Sequence, residues 1–478
     1  MIKDEKKSVL ELTHDTVRNN AEIYKDLSNV YYCKPNDKNI VIPVDSEEFI
    51  TYTCSLLRKQ TGTYIKREDI KNLRPHLKDE QEVTCLDFHI SKRCAFHNGM
   101  IYIDTINEII QISRKGVSFI KKTPLPYFKR SPTMLPLVKP DLSSKPNCLL
   151  NYIDRHFAIT FHQKILLCTW LVCSFISFLS LPILTLTGSK GSGKTSLTKR
   201  IRAIIDANTD ETIVIPSNER DFAILLDSTY LLAIDNISDG DIKGKYSDLL
   251  STAITKGSSY SVRQLYTDNG IVSLNLECRI ILNGISQNLL RKSDALDRTL
   301  LFSLSRMPVK DMVSMNVLDE MFYKDLPSIF GSICNTLSAV LNIIDDIEIT
   351  NISRMSDYAK YGYAVCETLG IDGDVFLEIY QENLNSINDV LLQDNVIAFC
   401  IMKIMKDRDF LQESVTELFL RVKEVAKACG VNVRDLPGSP SHFSNKLFDI
   451  QSNLKDCHLE LSKKNVGKHK EITIERVK

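Results

Sequence analysis

The sequence predicts an α/β protein of several domains, on three observations. A glycine-rich octapeptide, Gly188 to Thr195, lies between a strand-like apolar run, Pro182 to Thr187, and a helical pattern, Ser196 to Ile205. Strand-like and helix-like segments then alternate as far as residue 308. From 309 to 395 the apolar spacing is helical throughout. A chain of 478 residues has room for about two to four domains, each burying its own core.

The flanking elements follow the same logic. Residues 1–145 mix strand-like pieces (Val30 to Cys33, Asn39 to Ile42, Met100 to Ile103) with a helical stretch, Glu47 to Lys59. That region ends in a cluster of prolines, Pro124, Pro126, Pro132, Pro136, Pro140 and Pro146, which reads as a linker. The uncharged stretch Ile165 to Thr187 is long enough to span a bilayer. Pro182 interrupts it, however, and its last six residues are needed as the strand before the glycine loop. The remainder reads as a buried core helix. The N-terminus, with Lys3, Asp4, Glu5, Lys6 and Lys7, has no secretory pattern, and a cytoplasmic protein with no membrane partner is expected.

Composition excludes some classes. Lys plus Arg and Asp plus Glu both number 60, so any nucleic-acid contact must come from local patches. Thirteen cysteines without C-x-x-C pairs point to reduced thiols rather than a disulfide framework or a zinc site.

The octapeptide fits G-x-x-x-x-G-K-[ST] in the strand–loop–helix context that the motif requires. Gly188, Ser189, Lys190, Gly191, Ser192, Gly193, Lys194, Thr195 and Ser196 are therefore expected to cradle the phosphates of ATP at a helix N-terminus. Lys194 would reach the β- and γ-phosphates and Thr195 would hold Mg²⁺. The apolar run Tyr230 to Asn236 ends in Asp235, which can hold the same Mg²⁺ through water. Asn236 stands where many ATPases carry a glutamate base; an amide orients water but takes no proton. Glu219, after the strand-like Thr212 to Ile215, either supplies a carboxylate from the neighbouring strand or sits on a solvated loop. Asn283 ends a third apolar run, Arg279 to Gly284, and is expected to position the attacking water. Arg298 follows a short helical turn. It reads as an arginine finger acting on a neighbouring subunit, or as a surface partner of Asp294 or Asp297.

In this order and spacing the set resembles the AAA+ ATPases, and more narrowly the superfamily 3 and minichromosome-maintenance-like helicases of phages and mobile elements. Ile254 to Tyr266 is similar to the stretch that, in such helicases, precedes the sensor strand and forms a DNA-gripping hairpin. Here Ser261 to Leu276 can make that hairpin around Thr267 to Gly270. Its tip carries Asp268 where a basic residue would be expected, leaving Lys256, Arg263, Gln264 and Tyr266 as the contacts. Arg93 to Arg130, Arg354 to Tyr358 and the tail also resemble ATP-binding proteins of phages and integrating elements. In the tail, Ser439 and Pro440 cap a helix with Phe443, Leu447 and Ile450 on one face. Leu459 to Leu461 and Ile472 to Ile474 would complete a winged helix, with Lys463, Lys464, Lys468 and Lys470 on the wing. Lys121, Lys122, Lys129 and Arg130 read as solvated surface.

The expected architecture has four parts: an N-terminal α/β region with linker (1–145), an AAA+ P-loop core (146–308), a helical lid (309–395) and a C-terminal winged helix (396–478). The resemblance implies an ATP- and Mg²⁺-dependent helicase or translocase. It would act on single-stranded or forked DNA as a homo-oligomeric ring, a hexamer, with a primase or other replication protein as a further partner. The alternative is a DNA-binding AAA+ switch or loader that hydrolyses ATP without unwinding.

Overall fold

The structure is a computed structural model. It describes residues 8–38, 40–79, 81, 83–87, 90–121, 127–238, 240–242, 244–255, 259–263, 271–286, 289–290, 293–306, 314–350, 355–430, 436–466 and 469–477. The chain begins with α1 (Val9–Asn20), β1 (Ala21–Lys25), β2 (Tyr31–Pro35), β3 (Ile42–Pro43), α2 (Glu47–Thr61), α3 (Arg67–Leu77) and β4 (Thr84–Cys85). The strands form a sheet in the order β3-β2-β1-β4, and helices α1 to α3 cover one face through Val17, Phe49, Ile50, Ile70 and Leu73. Ser8 and Ser46 cap α1 and α2, accepting N–H bonds from Glu11 and Phe49.

An antiparallel meander follows: β5 (Cys94–His97), β6 (Met100–Asp104), β7 (Ile109–Ser113) and β8 (Gly116–Ile120). Its inner residues Ile101, Ile103, Ile110 and Ile112 belong to the large core of the next region, not to the core of the first sheet.

That next region holds α4 (Cys148–His156), α5 (Phe161–Cys173), β9 (Ile183–Gly188), α6 (Lys194–Ile205), α7 (Glu219–Ser228), β10 (Leu231–Ile237) and α8 (Lys245–Ala253). The hairpin β11 (Ser259–Arg263) and β12 (Ile271–Asn275) comes next, then β13 (Arg279–Gly284), α9 (Ser293–Leu296) and β14 (Thr299–Leu304). The central sheet is parallel, in the order β10-β13-β9-β14. Ile213 extends it beyond β10: its N–H donates to Ala233 O at 2.9 Å, and its carbonyl accepts from Asp235 N at 2.9 Å. Both faces are covered. Leu184, Leu231, Ile281, Leu300 and Phe302 point into one layer; Ile183, Leu232, Ile280, Leu282 and Leu301 point into the other. Alternate residues buried on opposite sides explain why these strands read as unbroken apolar runs. α5 is buried along its whole length from Ile165 to Cys173, as the sequence predicts for a core helix.

α10 (Met315–Ile343), α11 (Ser356–Leu369) and α12 (Gly373–Asp394) pack back onto α4, α5 and the meander. By length and composition the stretch Met315–Asp346 could cross a membrane, but 67% of its most apolar window is buried inside the protein. The tail comprises α13 (Val396–Ile404), β15 (Phe410–Ser414), α14 (Val415–Ala428), α15 (Pro440–Asp449), α16 (Gln451–Asp456), β16 (Leu459–Val466) and β17 (His469–Arg476). Its sheet runs β15-β17-β16 over a core of its own, containing Ile401, Leu418, Phe443, Leu447, Leu461 and Ile474.

Two expectations need correction. The described part of the proline-rich segment is packed, not loose: Phe128 is buried and bridges Ile40 and Ser91, and Met134 bridges Asn208. Ser332 Oγ and Asn335 Nδ2 of α10 donate to the Lys145 and Ser144 carbonyls, each at 2.8 Å. Prolines here remove donors from a segment whose carbonyls are taken up by neighbouring side chains. Arg130 is not simply solvated either, because it holds the buried Asp104 through two 2.7 Å bonds. Lys122 lies outside the described residues.

A buried ion pair ties this segment to the core. Arg93, 0% exposed, donates from Nε to Asp206 Oδ1 at 2.9 Å and to the carbonyls of Asp104, Leu135 and Ala207. Asp206 caps the end of α6, and its other oxygen accepts from Leu231 N at 3.3 Å. Asp206→Ala would leave the guanidinium buried without its counter-charge, at a cost of about 3 kcal/mol. Urea unfolding of the variant measures it, and a loss under about 1 kcal/mol would contradict this account.

Candidate nucleotide site and nucleic-acid surfaces

The glycine loop lies at the carboxyl end of β9, between that strand and α6. Gly188 has a φ of 150° and lies against β14, and a Cβ there would overlap the Leu304 carbonyl oxygen. Gly191 and Gly193 have φ values of 83° and 85°, a region that L side chains rarely adopt. Lys194 Nζ donates to Gly188 O at 2.7 Å and Ser189 O at 3.0 Å, and reaches Ser192 Oγ at 3.4 Å. Burial pulls this ammonium below the usual lysine range, against the opposing pull of Asp235.

Asp235 stands beside the start of α6. Thr195 Oγ1 donates to its Oδ2 at 2.8 Å, and Asn236 N donates to its Oδ1 at 2.8 Å. A bulge between Ile234 and Ile237 turns the end of β10 here, and Asn236 takes a φ of 58°. A hydroxyl and a carboxylate oxygen in contact suit a hard divalent ion, and the glycine loop and Lys194 suit a triphosphate. The residues present therefore fit both groups. Thr195 and Asp235 would hold the ion and the loop amides with Lys194 the phosphates.

Asn283 is brought near, but its amide is occupied. It is 0% exposed, donates from Nδ2 to Thr198 Oγ1 at 2.8 Å, and accepts from the same hydroxyl at 3.0 Å. Glu219 starts α7 and pairs with Lys245 at 3.0 Å, an ion pair that raises the lysine pKa. It does not line the cleft of about 260 Å³ beside Asp235 and Asn236. Asp241 does, together with Pro216 and Tyr246, and accepts from Ser238 N at 2.6 Å. Sequence reasoning passed over Asp241. The available signal was an acid within the glycine-containing turn that follows the strand of Asp235.

Arg298 lies at the far end of the sheet from its own loop. Its carbonyl accepts from Ile183 N at 2.8 Å, and Ile183 is the first residue of the strand that ends at Gly188. At about 3.3 Å per residue that places it roughly 17 Å from the loop. Its guanidinium donates to the Thr255 hydroxyl.

The nucleic-acid candidates are only partly described. Lys256, Gln264, Tyr266 and Lys468 lie outside the described residues; Arg263 ends β11, paired with Ile271. The two strands of the hairpin pair antiparallel, with Ser259 opposite Asn275, and the expected turn Thr267 to Gly270 with Asp268 lies outside the described residues. Lys464 and Lys470 are exposed on β16 and β17. Lys463 is exposed too, but leans on α15, donating to Ser444 Oγ at 2.6 Å. The outer face of α15 presents Ser441, His442, Asn445 and Lys446, which apolar periodicity alone did not single out.

A parallel sheet covered by helices on both faces, with a glycine-rich loop between β9 and α6, defines an α/β class of fold. Within it, residues 150–390 match the family model described as the actinomycete integrative conjugative element replication protein. The chain belongs to that family of mobile-element replication proteins. No curated protein sequence matches the chain. Among solved structures, it is similar to the NrS-1 C-terminal region, at 14% identity and a TM-score of 0.44, covering 99% of this chain and 100% of that one. It is also similar to an MCM homolog from Methanopyrus kandleri, at 10% identity and a TM-score of 0.32 over 80% of this chain and 95% of that one. JCV helicase is similar at 9% identity and a TM-score of 0.25, over 48% and 65%.

Proposed function

We propose that the chain is a cytoplasmic AAA+ ATPase that translocates on or unwinds single-stranded or forked DNA, as a hexameric ring, in replication of a mobile element. The observation that carries the reading is the 2.8 Å bond between Thr195 and Asp235 beside Lys194, at the carboxyl ends of parallel strands. ATP and Mg²⁺ are its cofactors. Gly188 to Ser196 bind phosphate, Thr195 and Asp235 hold the metal, and Asn236 positions water; Asn283 joins it only on leaving Thr198, and Glu219 only on leaving Lys245. Arg298 acts on the neighbouring subunit.

The parallel order from the Ile213 bridge through β10, β13 and β9 to β14 supports an AAA+ core over about residues 146–308. Helices α10 to α12 support a lid over 309–395, and β15-β17-β16 with α13 to α15 support a winged helix over 396–478. Lys256, Arg263, Gln264 and Tyr266 of the hairpin, with Lys463, Lys464, Lys468 and Lys470 of the wing, are the DNA contacts of this reading. A primase is a fitting partner for such a ring.

One observation favours the second reading, a switch or loader that does not unwind. Asn236 cannot take a proton, and Glu219 is held by Lys245 and does not line the cleft beside Asp235. Strand displacement on forked DNA separates the two. ATP-driven unwinding by wild type and not by Lys194→Ala supports the motor; ATP hydrolysis without unwinding supports the switch. Absence of ATP hydrolysis with and without single- or double-stranded DNA would sink both.

A further inference from the structure

We propose that Arg306 is a second cationic ligand of the nucleotide phosphates, acting within its own subunit; this rests on the nucleotide reading above. Its Nε lies 4.0 Å from the point that a Cβ on Gly191 would occupy, so the guanidinium stands over the middle of the phosphate loop. Arg306 is exposed and makes no hydrogen bond or ion pair among the described residues. Its five donors are therefore open to an anion.

The backbone, not side-chain packing, puts it there. β14 runs parallel to β9 with Leu304 opposite Gly188. Because Gly188 has no side chain, the Leu304 carbonyl closes onto the loop, and the chain leaves the sheet two residues later at Arg306. The other cation, Lys194, is partly spent on Gly188 O and Ser189 O. A triphosphate brings more negative charge than one half-engaged ammonium balances, and a guanidinium fork matches two phosphate oxygens at once. Arg306 and Arg298 thus divide the work: one sits at the loop of its own subunit, the other at the opposite end of the sheet.

The test is equilibrium binding of a fluorescent non-hydrolysable ATP analogue to the full chain, with thermal unfolding followed alongside. Arg306→Ala is expected to weaken binding at least about tenfold with an unchanged melting temperature, and Arg306→Lys to recover part of the loss. Wild-type binding that Arg306→Ala leaves unchanged overturns the assignment while the nucleotide reading stands. No binding by wild type overturns both. In mixtures, Arg306→Ala subunits should gain no ATPase activity from Lys194→Ala subunits; a gain would mean that Arg306 serves the neighbouring site.

Discussion

Arg298→Ala is expected to lower ATP turnover by about a thousandfold while leaving nucleotide affinity within a few-fold of wild type. The geometry gives the reason for the split. Roughly 17 Å of strand separates the Arg298 backbone from the glycine loop of its own chain, and its guanidinium is held on Thr255, so it contributes little to binding in one subunit. Across an interface it would meet charge developing on the neighbour's γ-phosphate, where a fixed cation lowers the barrier rather than the ground state. The Thr255 hydroxyl already accepts from it, which limits the rotamer entropy lost when a neighbour docks. Mixing then gives a sharp readout. Arg298→Ala has an intact loop and Lys194→Ala an intact finger, so mixed rings regain activity at the junctions that combine the two. Turnover of Arg298→Ala within threefold of wild type would remove the finger role. Absence of recovery on mixing would remove the ring interface from the mechanism.

That division of labour was only partly legible in the sequence, and the reason is physical. The phosphate loop is local: strand, glycines and helix follow one another, so residue order alone carries the geometry. Asp235 and Asn283 were legible because each ends an apolar run, and a parallel sheet presents its strand ends on one edge. What periodicity cannot report is contact between distant segments. Arg93 and Asp206 are 113 positions apart and meet inside the core. Arg306 reaches Gly191 only because β14 pairs with β9. Asp241 lines the cleft of Asp235 from the turn that follows β10. The proline cluster misled for a related reason. Proline marks where a ladder donor is missing, not whether the segment is exposed, and here Phe128 and Leu137 anchor it.

Lys194→Ala should abolish measurable ATP hydrolysis, a loss of at least about a thousandfold, and weaken triphosphate binding as well. The effect combines two contributions. The ammonium faces two carbonyl oxygens and a hydroxyl and makes no ion pair among the described residues, so its charge is only partly compensated in the free protein. Burial pulls its pKa down, and an anion arriving at the loop would oppose that pull. Asp235 opposes that shift, but is itself engaged by Thr195 and the Asn236 amide. Removing the side chain frees acceptors that lie at the surface, where water replaces the donor, so stability should change by less than about 1 kcal/mol. Lys194→Arg should not restore turnover, because a planar fork cannot occupy the position of a compact ammonium that three loop acceptors surround. Phosphate release, calorimetric binding and a melting curve on the same preparations separate these contributions. Retention of more than a tenth of wild-type turnover by Lys194→Ala would mean that the glycine loop is not the seat of hydrolysis.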